Sequence, residues 1–195
     1  MNRQAIIERV KIKLDELTPV SEGLDHPIDK YIDPCLDDAA RRVAETVNIA
    51  RFRAEKHTAT SKFEEPCVTI PLKAGEKDNI ARIINVKLSD WDHPVSEITP
   101  EDSPLAWMQK DPVTRGGTKK PVVVLRHTEG ERYLDCYSGT ATSTHEVKCV
   151  TYKKPEELHD DLIAPLVIQC ALLVAQTLEL DKAMSILREE LKAYL

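Results

Sequence analysis

Two cysteines and a histidine are the residues of this chain best suited to nucleophilic chemistry. Cys136, His145 and Cys149 could meet in the predicted β domain, and a thiol beside an imidazole can form a nucleophile pair. No local signature of a cysteine nucleophile surrounds either thiol. The five cysteines are scattered without a CxxC pair, which favours reduced, buried thiols in a cytosolically folded protein. A cysteine-dependent hydrolase is therefore only the third hypothesis.

The six histidines give no metal or acid–base motif. No HExxH or comparable ligand spacing occurs in the chain. His159, Asp160 and Asp161 have the residue types of acid–base catalysis, but they fall in the predicted first turn of a helix, where the helix dipole favours acidic side chains. We therefore expect no catalytic residue, no metal, no cofactor and no enzymatic activity.

A basic, glycine-rich loop at residues 115–120 could bind phosphate. Gly116 and Gly117 predict a turn that needs either a positive φ or a close backbone approach. Arg115, Lys119 and Lys120, together with exposed backbone N–H groups, could hold phosphate oxygens. The formal net charge of −6 argues against nucleic-acid binding as the main role of the protein. A nucleic-acid-binding module acting through this loop is the second hypothesis.

Length and composition indicate an ordinary globular chain. Its 195 residues fit one domain, or one domain with a sizeable insertion, and 42% hydrophobic with 31% charged residues disfavours wholesale disorder. The longest apolar run, residues 162–175, is interrupted by Pro165 and Gln169 and is shorter than the ~20 residues that span a bilayer. We expect no membrane segment and no membrane partner.

Both ends of the chain read as helical. Apolar residues at helical spacing predict a helix over residues 3–17 and a second from Pro27 to about residue 52. Pro34 lies inside the second pattern, so that helix either kinks or begins near Asp33 as its N-cap, and the pattern favours a break. The interval 51–62 is polar and predicts a linker.

The helical pattern resumes after residue 154. A helix is predicted from Pro155 to about Leu178, with Pro165 causing a kink or a restart after a short first turn. Asp181 is expected to cap the last helix, which forms a hairpin with the one before it. Residues 162–175 are apolar nearly all round, so several neighbours must cover them.

The middle of the chain reads as β-structure. Strands are predicted at residues 67–72, 83–88, 122–125, 132–137 and 147–152, with a turn at residues 73–75 and a loop or short helical turn at 99–112. The predicted class is α+β: a helical bundle formed by both chain ends, residues 1–62 and 154–195, with a small antiparallel β domain inserted at residues 63–153.

Several segments resemble virion proteins of crAss-like tailed bacteriophages. They are IIERVKIKLDELTP at 6–19, PIDKYID at 27–33, VKLSDW at 86–91 with Pro94-Val95, TRGG at 114–117 and KPV at 120–122. Together they span most of the chain in order. The chain departs from the family at two places. At residues 73–80 the family has an acidic-aromatic segment, and at the position of His93 the family has arginine.

The resemblance implies a head-to-tail connector protein, either a ring or an adaptor. Such a protein would form a homo-oligomeric ring of about twelve copies beneath the portal, contact the portal and other connector or tail proteins, and let DNA pass without sequence-specific contact. Particle assembly would place it in the host bacterial cytoplasm and then at the head-to-tail interface of the virion. We expect the helical bundles to pack side by side, with the β loops reaching adjacent rings.

The sequence offers a set of candidate interface residues. Tryptophans are enriched at interfaces, the basic loop is a natural contact, and the apolar helix must be covered. The candidates are Trp91, Pro94, Trp107, Arg115, Gly116, Gly117, Lys119, Lys120, Leu162, Leu166 and Leu173.

Overall fold

The computed structural model describes residues 1–17, 28–73 and 79–195. Within these residues it has five α-helices and two β-sheets, which confirms the α+β class. The chain divides into two compact units. The helical unit comprises Met1–Arg53 and Tyr152–Leu195, and the β unit comprises Ala54–Thr151. The helix start predicted at Pro27 and most of the turn predicted at residues 73–75 lie outside the described residues.

Four α-helices form the described part of the helical unit. They are α1 (Arg3–Leu17), α2 (Asp29–Thr46), α4 (Ile163–Thr177) and α5 (Asp181–Lys192), and α3 belongs to the β unit. Three short 3-10 turns lie at Ile49–Arg51, Pro155–Glu157 and Asp160–Leu162. α1, with its apolar stripe of Ile6, Val10 and Leu14, begins and ends where the sequence predicts.

Helix α4 is the centre of this unit. Leu162 and Leu166 are buried, as are most residues of the helix, in one hydrophobic cluster to which α1, α2 and α5 each contribute apolar side chains. The strong apolar character of α4 therefore follows from its place in the core, and no neighbouring molecule is needed to explain it. A segment that includes it, Asp160–Thr177, is long and apolar enough to cross a membrane, but 67% of it is buried inside the protein, as in any core helix.

Proline and cap positions correct two predictions and decide between two alternatives at a third position. Pro34 lies inside α2, which continues through it, so the predicted break is wrong. Pro165 lies in the first turn of α4, after two 3-10 turns. Of the two predicted alternatives, a kink or a restart of the helix, the structure shows the restart. Asp181 is the first helical residue of α5, preceded by Leu180 at the N-cap with no side-chain capping bond, so its predicted capping role is wrong.

Eight strands among residues 54–73 and 79–151 build the β unit in two sheets. A three-stranded sheet has the order β1-β8-β4, and a five-stranded sheet has the order β2-β3-β7-β6-β5. The strands are β1 (Glu55–His57), β2 (Lys62–Glu64), β3 (Cys67–Pro71), β4 (Ile80–Leu88), β5 (Ile98–Pro100), β6 (Val123–Thr128), β7 (Glu131–Tyr137) and β8 (His145–Thr151).

The β unit differs from the prediction in the direction of one strand pair and in the residues that form strands. β5 pairs with β6 in parallel, because the long connection between them contains helix α3 (Pro104–Met108) and returns the chain to the same end of the sheet. Residues predicted as a linker instead contain β1, and β2 begins at their end. Both strands are three residues long, and charged side chains are common on such short sheet edges.

The two sheets enclose one core, and one β-bridge joins them at their margin. Residues from both sheets, including Leu88, Val123 and Val147, form a single buried cluster. Val86 of β4 and Val95 exchange both backbone hydrogen bonds at 2.8 Å. After this bridge, β4 and the segment leading into β5 are no longer paired, so the two sheets separate between these strands.

Candidate interaction site

The most exposed apolar residues of the β unit lie in and just after helix α3. Leu105, Trp107, Met108 and Val113 project from this segment, and we call them the α3 ridge. Trp107 is 65% exposed and Val113 is 90% exposed. Monomers tolerate single exposed apolar residues, whereas a cluster of large ones marks an interaction surface.

Local hydrogen bonds build the helix that carries the ridge. Ser103 is its N-cap, and its side-chain oxygen accepts a hydrogen bond from the Ala106 amide at 3.1 Å. Pro104 occupies the first turn, where its missing N–H costs nothing. Ala106 is buried against the sheet, so the larger apolar residues on either side of it face outward.

Gln109 fixes the ridge to the loop that follows it. Its side chain is almost wholly buried and donates to the Leu105 carbonyl at 3.1 Å, while its Oε1 accepts from the Gly116 amide at 2.9 Å. The Gln109 carbonyl accepts from Arg115 Nε at 2.9 Å. The ridge is therefore held by a satisfied polar network and is not a loose loop tip.

A groove opens where the two sheets separate. It has a volume of about 860 Å³ and lies between the edge strands β4 and β5, with α3 at one end. Its apolar lining includes Ile83, Ile98, Leu125 and Trp107. The first three also pack against the core of the β unit, so the groove leads directly to that core. We call it the edge groove.

Charged side chains surround this apolar floor. Arg82, Lys110 and Arg132 contribute three cations, and Glu101 and Asp102 contribute two carboxylates. Arg132 donates to the Ile80 carbonyl, and Glu101 accepts from the His127 amide at 3.2 Å. The groove thus combines an apolar floor with charged side chains of both signs at its rim.

The basic loop is built as a structural element. A Cβ at Gly116 would lie 2.4 Å from the Lys120 carbonyl oxygen, so this glycine is required by close backbone approach and not by a positive φ. Its amide is bonded to Gln109, and its carbonyl accepts from the Ser138 hydroxyl. Arg115 is bonded inward as well, which leaves Lys119 and Lys120 as the exposed cations of the loop. Its geometry therefore weakens the phosphate-binding hypothesis.

The predicted interface residues fall into two groups. Trp91 is 2% exposed and lies in the β core, and Leu162 and Leu166 lie in the helical core, so their side chains are removed from any interface by burial within the chain. Leu173 is half-buried against the helical core. The others lie wholly or partly at the surface: Pro94, Trp107, Arg115, Gly116, Gly117, Lys119 and Lys120.

The predicted thiol and histidine chemistry has little support in this geometry. Burial raises the pKa of both the Cys136 and the Cys149 thiol, which disfavours the reactive thiolate. Burial likewise lowers the pKa of His145. His159 accepts from Arg53 Nη2 at 2.6 Å, and its Nδ1 lies 3.1 Å from Asp161 Oδ2. Among residues 1–17, 28–73 and 79–195, no group of three or more His, Cys, Asp or Glu side chains is placed to hold a metal.

Several residues of this surface are not among the predicted interface residues. Leu105, Met108 and Val113 of the ridge were not singled out, nor was Phe63 on β2, which is 42% exposed. The available signal was apolar residues in a proline-punctuated stretch without the periodicity of a buried element. The departure from the phage family at residues 73–80 falls mostly outside the described residues.

No protein-family model matches the chain, and no curated protein sequence matches it significantly.

Proposed function

We propose that this chain is a structural virion protein that forms an oligomeric ring in the head-to-tail connector of a tailed bacteriophage. The ring would sit beneath the portal, join the capsid to the tail and line the DNA channel. In this proposal the helical unit is the bundle formed by both chain ends, and the β unit is the domain inserted into it. The resemblance of the segments at 6–19, 86–91 and 114–117 to crAss-like phage proteins supports the family assignment.

The α3 ridge is the observation that carries the proposal. A rigid helix that presents Leu105, Trp107 and Met108 to solvent leaves apolar surface in water, and covering that surface with another molecule is favourable by roughly 25 cal/mol for each Å². Aromatic residues on well-supported elements are the usual anchors of protein interfaces. We infer that the ridge is covered by another virion protein molecule.

The apolar surface of α4 is not available for side-by-side packing of the helical bundles of neighbouring copies. That surface is covered by α1, α2 and α5 of the same chain, whereas the ridge and the edge groove lie on the β unit. We therefore propose that the β unit supplies the apolar contacts between copies. A ring requires heterologous contacts, in which two different patches of each copy meet.

The charge balance suits a channel through which DNA slides. A protein that neutralises phosphates with cations releases counterions and binds DNA tightly, so a channel lining with few cations would release it. The formal net charge of −6 supports an acidic lining made of Asp and Glu side chains. Mapping charge onto an assembled ring tests this prediction, and a basic lumen would refute it.

Electron microscopy of the purified full chain tests the ring directly. We expect closed rings when the protein is concentrated, alone or with portal rings, because the ridge becomes buried on assembly. Trp107→Ala should reduce the fraction of ring particles, while Ile186→Ser, which alters an exposed residue of the helical unit, should not. A wild-type chain that stays monomeric under every one of these conditions would contradict the proposal.

A further inference from the structure

Strand β2 forms one edge of the five-stranded sheet and leaves an aromatic side chain uncovered. Phe63 is directly opposite Val68 on β3, and directly opposed residues of an antiparallel pair share a face. Val68 is buried in the core, so Phe63 also lies on the core-facing side of the sheet. It projects beyond the last strand, however, and remains 42% exposed.

The opposite edge of the same sheet lies beside an apolar groove that could receive such a side chain. β5 is the last strand there, and the edge groove beside it exposes Ile83, Ile98 and Leu125, which pack against the same core. One edge therefore has an apolar side chain without a cover, and the other edge has an apolar cleft without an occupant. Unprotected edges of this kind favour pairing with another chain.

Charge complements this apolar match. Glu64 and Glu65 follow Phe63, and Lys62 precedes it, which leaves the β2 segment with an excess of negative charge. The rim of the edge groove places the Lys110 ammonium beside the apolar floor, where it can meet a carboxylate of the β2 segment. Opposite charge around an apolar centre sets the register and suppresses contact between two like edges.

We propose that the β2 edge of one copy docks into the edge groove of the next copy. Phe63 enters the groove beside Trp107, and Glu64 and Glu65 face Lys110 at its rim. The two patches lie at opposite edges of one sheet, so the contact is heterologous and repeats from copy to copy, as a ring requires. This inference rests on the proposed ring and specifies its lateral contact.

Mixed cysteine cross-linking tests the pairing of the two edges. One full-length chain carries Glu65→Cys and another carries Lys110→Cys, so Phe63 and Trp107 are retained; a short bismaleimide then joins thiols in contact. We expect a covalent dimer in the mixture and much less in either chain alone. The wild-type chain reports background from Cys35, since the other native cysteines are buried. A mixture of Lys110→Cys with Lys192→Cys, on α5, is the matched control.

Three further variants separate the contact from general damage. Phe63→Ser should raise the dissociation constant between copies about tenfold or more, while circular dichroism and thermal unfolding show that the fold is intact. Lys110→Glu should weaken assembly on its own, and adding Glu65→Lys in the same chain should restore part of it. Rescue by the second charge change requires that the two residues meet across the contact.

The outcomes distinguish this contact from the ring itself. Cross-linking confined to the mixture, with weakened assembly of Phe63→Ser, would support the inference. If rings form but Phe63→Ser assembles as the wild type does and the mixture does not cross-link, the contact is wrong and the ring stands. If the wild-type chain does not assemble and the mixture of the two cysteine variants does not cross-link, the proposed ring and this contact are both overturned.

Discussion

The helical unit and the β unit differ in how completely they cover their apolar residues. The helical unit contains the most apolar segment of the chain, α4, yet covers it with α1, α2 and α5. The β unit buries a core between two sheets but leaves Phe63, the α3 ridge and the edge groove open. A segment's apolar content therefore does not identify a partner surface in this protein, whereas the exposure of supported apolar side chains does.

The largest expected effect tests the core role of α4. Leu166→Ala removes a fully buried side chain and should lower the free energy of unfolding of the helical unit by about 2–5 kcal/mol, because it deletes apolar contacts and leaves a cavity. Urea denaturation followed by helical circular dichroism measures this change. Ile186→Ala, at an exposed position of α5, should cost under ~1 kcal/mol. Equal effects of the two substitutions would contradict the assignment of α4 to the core.

The next effect tests how the β unit holds its ridge. Gly116→Ala places a methyl group 2.4 Å from the Lys120 carbonyl oxygen and should destabilise the β unit by about 1–3 kcal/mol. Gly117→Ala is the matched control, because a Cβ there meets nothing within 4 Å. Denaturation of the two variants side by side measures the difference. If both were tolerated alike, the close approach at Gly116 would not constrain the loop.

Trp107→Ala should separate folding from assembly. The side chain is 65% exposed, so its loss should change the free energy of unfolding by no more than ~0.5 kcal/mol. The same substitution should weaken association between copies about tenfold or more, since aromatic anchors dominate interface energy. Sedimentation and denaturation of one preparation measure both quantities. A large loss of stability with unchanged association would make Trp107 a structural residue.

The smallest effect is a pH dependence confined to the β unit. Burial, opposed by a hydrogen bond with the Ala59 backbone and aided by the nearby charge of His57, lowers the folded-state pKa of His145 below its usual 6.5. The unfolded chain therefore binds a proton first as pH falls. The stabilising contribution of neutral His145 is complete above pH 6.5 and declines as pH falls from there through the folded-state pKa.

Comparison with His145→Gln measures that dependence. The wild-type β unit should lose stability on acidification from about pH 7 to pH 5, and the variant should lose less over the same range. Equal slopes of stability against pH in the two proteins would exclude His145 as a source.

The sequence predicts much of this fold where one periodic signal dominates. α1 and α5 were located by apolar residues at helical spacing, and β3, β7 and β8 by short apolar or alternating runs. β1, β2 and β5 were missed because each has only three residues and depends on a neighbouring strand for its conformation. The helix break predicted at Pro34 is wrong because the packing of α2 overrides the local preference of proline against helix.

The candidate site was less predictable, because exposure depends on tertiary contacts. Trp91 and Trp107 share a residue type, and the sequence proposed both for an interface. Trp91 follows β4 and turns into the core of the β unit, whereas Trp107 lies on a short helix whose buried position is taken by Ala106. The edge groove joins residues from β4, β5 and α3, and no local pattern shows that these strands separate after Val86 and Val95.

Sedimentation equilibrium of the full chain beside Trp107→Ala and Ile186→Ser tests the central claim most directly, since it compares exposed apolar residues of the two units in one assay. We predict that the wild type and Ile186→Ser form the same discrete oligomer, and that Trp107→Ala shifts strongly toward monomer while remaining folded. Loss of assembly in Ile186→Ser with Trp107→Ala unaffected would contradict the account and place the contact on the helical unit.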